Sequence, residues 1–187
     1  MTLYRNKYRI ESARLPNYDY SANGYYFVTI CTHEKFRYFG EIVNAQMQFS
    51  QVGRIARQNW QDIPNHFDGV YLDEFIIMPN HVHGIVAIDK PCRDVTCYVS
   101  TKNDNVNETM SKLSPKPGSL QAIVHAYKSS VTRWCRQHDD DIFRWQPRFY
   151  DRIIRDEREL NNVRRLGQRS LAPVGERRFR ASVPKGL

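Results

Sequence analysis

The alternation of apolar and polar positions divides the chain into strands and helices. Residues 25–32, YYFVTICT, are β-branched and aromatic, which predicts a strand. FGEIV (39–43) and MQFS (47–50), joined by a short Asn-Ala-Gln link, predict a strand pair. Ser50 is placed to cap a helix whose apolar face is Val52, Ile55, Ala56, Trp60 and Ile63, and Pro64-Asn65 is expected to end it. VYLDEFIIM (70–78) and HVHGIVAI (81–88) read as strands broken at Pro79-Asn80, expected to pair as an antiparallel hairpin. The period then changes: Leu120, Ile123, Val124, Tyr127, Val131 and Trp134 recur at helical spacing over 119–137. After an acidic turn, HDDD (138–141), a strand is expected around Tyr150, in RFYDR, just before the last helix. Asp156 then starts a last helix, with Glu159 completing a capping box and Leu160 and Val163 on its apolar side. That periodicity stops at Gly167.

The order β, ββ, α, β, β, α, β, α has too few helices to cover both faces of a doubly wound sheet. It predicts an α+β fold, closest to the ferredoxin-like split βαβ, with a central antiparallel sheet and helices mainly on one face. Residues 1–23 form a basic arm ending in the turn-like SANG (21–24), residues 24–165 the folded domain, and residues 166–187 an irregular tail rich in Arg, Gly and Pro. Residues 89–118 are polar and aperiodic, a long insertion within the domain.

Composition sharpens this picture. The 187 residues suffice for one domain with a proper core, and a net charge of +8 with 12% aromatics suits a nucleic-acid partner. No apolar run reaches membrane-spanning length, and MTLYRNKYRI lacks the apolar stretch of a secretory signal. Cys31, Cys92, Cys97 and Cys135 form no C-x-x-C pair. The expectation is a cytoplasmic protein with reduced thiols, no structural zinc and no membrane partner.

Candidate chemistry centres on FIIMPNHVHGIV (75–86). In a strand, residues i and i+2 share a face, so His81 and His83 project side by side with Val82 opposite. Two neutral imidazoles so placed can share a metal ion. The alternative is a half-buried pair bonded to backbone carbonyls.

Four segments together, YYFVTICTHEKFRYFGEIVN, LDEFIIMPNHVHGIV, AYKSSVTRW and WQPRFYDRIIRDERELNNVRR, resemble the REP-associated tyrosine transposases of the single-tyrosine HUH superfamily, over roughly residues 14–165. The resemblance implies a ferredoxin-like domain that cleaves and rejoins single-stranded DNA at hairpins. It also implies a Mg²⁺ or Mn²⁺ ion on His81 and His83, and a nucleophilic tyrosine on a following helix.

The pattern breaks where that tyrosine is expected. Leu166 stands in its place, Gly167 follows, no Asn-Pro comes after, and the helper polar position falls at Ser170. The expectation is therefore a surviving metal site with a lost nucleophile. Tyr150 is the candidate substitute, against core packing; Tyr127, on the apolar helix face, reads as core. Asp73 or Glu74 could approach the metal. Lys128, Ser129, Thr132, Arg133 and Arg136 lie off the apolar stripe of their helix, and Arg144, Trp145, Arg148 and Arg152 interleave charge with an aromatic that could stack on a base. Lys128, Ser129, Arg133, Arg144, Trp145, Arg148 and Arg152 are the candidate DNA contacts. Arg5, Lys7, Arg9 and Arg14 could follow phosphates. The expected partner is single-stranded or hairpin DNA, bound by a monomer or homodimer. Two alternatives are a non-catalytic hairpin-binding module and a hydrolase that uses water at the histidines.

Overall fold

The computed structural model describes residue 15 and residues 18–91, 115–138 and 142–169, with side chains to 165. Most of the basic arm, most of the insertion and the tail beyond 169 lie outside the described residues. So do Cys92, Cys97 and Ser170.

The main sheet has four strands: β1 (Gly24–Cys31), β4 (Val70–Met78), β5 (His81–Ile88) and β6 (Tyr150–Ile154). Their spatial order is β4-β5-β1-β6, every pair antiparallel. A small hairpin, β2 (Gly40–Val43) with β3 (Gln46–Phe49), stands apart. The helices are α1 (Gln51–Gln61), α2 (Ile63–His66), α3 (Leu120–Gln137) and α4 (Glu157–Arg169). In the main sheet β1 and β4 flank β5, and β5 and β6 flank β1. These are the two interleaved βαβ units of the expected ferredoxin-like α+β fold.

Helices α1 and α3 pack together on one face. The Ser50 hydroxyl caps α1 by accepting from the Gly53 amide at 3.0 Å, as its position predicted. Val52, Ala56 and Trp60 of α1 are buried with Leu120, Ile123, Val124, Tyr127 and Val131 of α3, against Tyr26, Val28, Val82 and Val86 of the sheet. Tyr127 is core, its hydroxyl donating to the Ala56 carbonyl at 3.1 Å. On α3 it is Cys135 that is buried, whereas Trp134 is half-buried and stacks on His138. The expectation that Pro64-Asn65 ends α1 is corrected. The helix stops at Gln61, and Pro64 lies in the first turn of α2, where a missing amide proton costs no hydrogen bond.

Helix α4 takes the opposite face. Leu160 and Val163 bury against Ile85 and Ile154, with Phe27 alongside. The Asp156 carboxylate caps it, accepting from the Glu159 amide at 2.7 Å, and Glu159 reaches back to the Arg155 amide at 3.1 Å. The helix runs through Gly167 to Arg169, two residues beyond the stop that periodicity indicated, so Leu166 lies on a helix.

Candidate functional site

His81 opens β5 and His83 follows on the same face, which is the face covered by α4. Their rings are 4.4 Å apart between centroids, inclined at 74°. Each imidazole is braced through Nδ1. The Asn80 amide donates through Nδ2 to the Lys35 carbonyl at 3.1 Å, which turns Oδ1 towards His81 Nδ1 at 2.7 Å. His81 must therefore carry its proton on Nδ1, leaving the Nε2 lone pair available. His83 Nδ1 meets Thr29 Oγ1 at 2.8 Å, and Phe27 stacks on the His83 ring at 5.4 Å. Burial lowers the affinity of both rings for a proton. His83 falls to about 4, and His81 also falls, with the Lys35 charge adding to burial. Both rings are thus neutral near pH 7, the form in which imidazole ligates a metal.

The donor set is sparse. Cys31 lies in register opposite His81, but burial raises its thiol and keeps it protonated. Asp73 sits in the bulge between Leu72 and Phe75, and its carboxylate is taken by Arg164 of α4, at 2.9 Å from Nε and 2.5 Å from Nη2. Among the described residues no three His, Cys, Asp or Glu side chains converge. Two neutral imidazoles side by side on one strand face, each held at Nδ1, fit a divalent cation that fills the rest of its shell with substrate and water oxygens.

The strand beneath is fixed from the other side. A Cβ on Gly84 would lie 2.3 Å from the Trp60 ring, so no larger residue fits between His83 and the core without displacing Trp60.

Tyr150 begins β6 opposite Thr29, which is opposite His83. It therefore shares the histidine face, two strands away, or about 10 Å between backbones. It is 50% exposed, which overturns the core-packing alternative. Among the described residues its strand is the edge of the sheet.

The second feature is a groove of about 1210 Å³ along the outer side of α3, bounded by Tyr18 and Tyr20 on one side and by Trp145, Arg148 and Phe149 on the other. Lys128, Ser129, Thr132, Arg133 and Arg136, which lie off the apolar stripe of α3, all line it, with Lys116 and His125. The other candidates are placed differently. Arg144 donates to the Phe143 carbonyl at 2.8 Å, and Arg152 pairs with Glu159 at 2.5 Å on the histidine face, so neither lines the groove. Lys128 lines it but spends its ammonium on the carbonyls of Gln146 (2.8 Å) and Arg148 (3.3 Å). Trp145 packs on Phe39, Tyr127 and Phe143 and donates to the Lys128 carbonyl at 3.0 Å. Trp145 is thus primarily a packing residue, and Tyr18, half-buried at the rim, is the aromatic that sequence reasoning missed. Thr29, Asn80 and Lys35 were missed too, and Asp73, expected as a residue that could approach the metal, is instead engaged by Arg164. Only Asn80, adjacent to His81, carried a local signal.

No helix among the described residues is long and apolar enough to cross a membrane. No family model matches the sequence. Two solved structures are similar to this chain at a low level. One is a REP-associated tyrosine transposase bound to a REP hairpin, with 12% identity and a TM-score of 0.49, covering 80% of this chain and 66% of that one. The other is a candidate transposase from Deinococcus radiodurans R1, with 15% identity and a TM-score of 0.36, covering 83% and 95%. A protein of Haemophilus influenzae (strain ATCC 51907 / DSM 11121 / KW20 / Rd), itself uncharacterized, is 39% identical over 155 residues, spanning 81% of this chain and 82% of its own. Identity at that level over most of both lengths places the chain in one family with this Haemophilus influenzae protein, and to that family it belongs.

Proposed function

We propose that this protein is a transposase-type binder of single-stranded or hairpin DNA, with a divalent-cation site at His81 and His83 and an impaired capacity to cut. The observation that carries this reading is the pair of neutral imidazoles on one strand face, each held at Nδ1, with no partner for either Nε2 among the described residues. That arrangement suits metal ligation better than structural hydrogen bonding, in which both ring nitrogens would be consumed. The charged groove on α3 supports a nucleic-acid partner, since Arg133, Arg136 and Arg148 line one groove of about 1210 Å³.

A Mg²⁺ or Mn²⁺ ion bound there would polarise the scissile phosphate and offset its developing charge. His81 and His83 would hold it, Thr29 and Asn80 would fix their ring orientation, and α4 with Phe27 would keep one side of the site dry. Strand cleavage needs a nucleophile. A tyrosine Oη attacks phosphorus, the bond to the 3′ oxygen breaks, and that oxygen leaves with a proton as the 3′-hydroxyl while the tyrosine proton passes to solvent. Leu166, at the position where the resemblance expects this tyrosine, has no atom to do so. Tyr150 is the substitute nucleophile in this reading, exposed and in the same cross-strand row as His83.

The test is a labelled hairpin oligonucleotide incubated with Mn²⁺ and run on a denaturing gel. The expected result is binding with little covalent adduct, and loss of that residual adduct in Tyr150→Phe. Efficient adduct formation that survives Tyr150→Phe would refute both the impairment and the substitute. Complete absence of adduct with intact hairpin binding would favour the non-catalytic binding module, the reading that Leu166 itself supports.

A further inference from the structure

We propose that Lys35 is the phosphate anchor of the histidine site, its ammonium holding a DNA phosphodiester beside the cation bound by His81 and His83. This rests on the metal reading above and adds a residue and a binding order to it.

Lys35 ends the short 3-10 turn His33–Lys35 that follows β1. Two side chains fasten this turn to the histidine strand. The Thr32 hydroxyl, fully buried, lies 2.7 Å from the Phe36 carbonyl and 2.9 Å from the Asn80 carbonyl. Asn80 bonds the Lys35 carbonyl with one end of its amide and His81 Nδ1 with the other. The same amide that orients the first histidine therefore positions Lys35. The turn is held in an unfavourable backbone conformation, with φ of 49° at Glu34 and 60° at Lys35, neither of them glycine. Such a conformation persists only where the surroundings enforce it, and it clusters at binding sites.

The side chain is exposed, and among the described residues no carboxylate pairs with it. By contrast Arg164, Arg152 and Lys116 are engaged by Asp73, Glu159 and Asp19. After burial, the Lys35 charge is the next influence on both His81 and Cys31, the residues that face each other at this end of the sheet.

A positive charge on the turn tied to His81 has opposite effects on the two ligands. It repels a divalent cation that arrives alone and attracts a phosphate. A phosphodiester oxygen can sit between ammonium and cation, offsetting part of the charge of each, so the cation and the strand favour one another's binding.

The experiment titrates Mn²⁺ into the full-length protein by electron paramagnetic resonance, with and without a short single-stranded oligonucleotide, and measures oligonucleotide affinity separately. The variants are Lys35→Gln, Lys35→Arg and, as a charge-matched control on the exposed side of α1, Arg54→Gln. Lys35→Gln is expected to tighten Mn²⁺ alone by about twofold and to weaken the oligonucleotide by about fivefold. Lys35→Arg should stay near wild type on both, and Arg54→Gln should show no such split. A Lys35→Gln variant that weakens Mn²⁺, or that binds the oligonucleotide as Arg54→Gln does, overturns the proposal while leaving the metal reading intact. Equal Mn²⁺ affinity in wild type and a His81→Ala, His83→Ala variant overturns the metal reading and this proposal with it. If inorganic phosphate tightens Mn²⁺ as well as the oligonucleotide does, the anchor serves free phosphate and the DNA assignment falls.

Discussion

The two faces of the sheet solve different problems. The histidine pair is neutral: both imidazoles are buried enough to lose their charge, and each is tied by one hydrogen bond to a residue on a neighbouring strand or turn. The groove on the other side is open and cationic, and several of its charges are carried by long side chains on one helix. Precise geometry matters where a bond is to be polarised, whereas a polyanion can be held by mobile charges that need only be numerous. The two features meet at the sheet edge. Arg148 and Phe149 line the groove, and Tyr150, the next residue, turns onto the histidine face. Arg148 makes that turn with a φ of 69°.

This contrast can be broken first through the core that separates the faces. Trp60 fills the space beneath Gly84 and contacts Phe75 and Tyr127. Trp60→Ala should lower unfolding free energy by about 4 kcal/mol in chemical denaturation. A loss below about 1 kcal/mol would mean that Trp60 does not support the histidine strand as described.

The groove should be separable from the histidines by salt. Replacing Arg133, Arg136 and Arg148 with Ala together should weaken single-stranded DNA about 100-fold at low salt and flatten the log Kd against log salt slope by about 2. His81→Ala should leave that slope unchanged. Equal flattening in both variants would erase the distinction between the faces.

Acid should act on the neutral face. His83 binds a proton at about 4 in the folded protein, against an ordinary value near 6.5, so the unfolded chain takes up the proton first on acidification. The stability associated with the neutral ring is complete above about 6.5 and is lost as pH falls towards 4, by an amount on the order of 2 kcal/mol. His83→Gln should remove that part of the slope between pH 7 and 4. An unchanged slope would show that His83 is not buried neutral. The smallest effect sharpens the role of the bracing bonds: Thr29→Val should weaken Mn²⁺ by about 10-fold with the fold intact. Unaltered affinity would show that Thr29 is not orienting the ring.

Periodicity alone located β5, α3 and the hairpin of β4 and β5, because burial on one face imposes a repeat that depends only on local backbone geometry. The capping of α1 by Ser50 and of α4 by Asp156 was legible for the same reason: both bonds close within four residues. The shared face of His81 and His83 followed from strand alternation. Pro64 misled, since a proline that blocks the interior of one helix is equally suited to begin the next. Tyr150 misled as well, because an aromatic in a strand reads as core until the strand is known to be an edge.

What the sequence by itself determined is therefore local: element types, one-face patterns, caps and the histidine pair. The tertiary structure decided everything that depends on which strands are neighbours. It placed Thr29 against His83, closed Asp73 onto Arg164, spent the Lys128 charge on backbone carbonyls, and set Lys35 beside His81 through Asn80. These pairings join residues far apart in the chain, and nothing in a one-dimensional pattern fixes their register. The proposed chemistry rests on those long-range contacts, because a ligand's orientation, a carboxylate's availability and a cation's freedom are all set by what lies across the sheet.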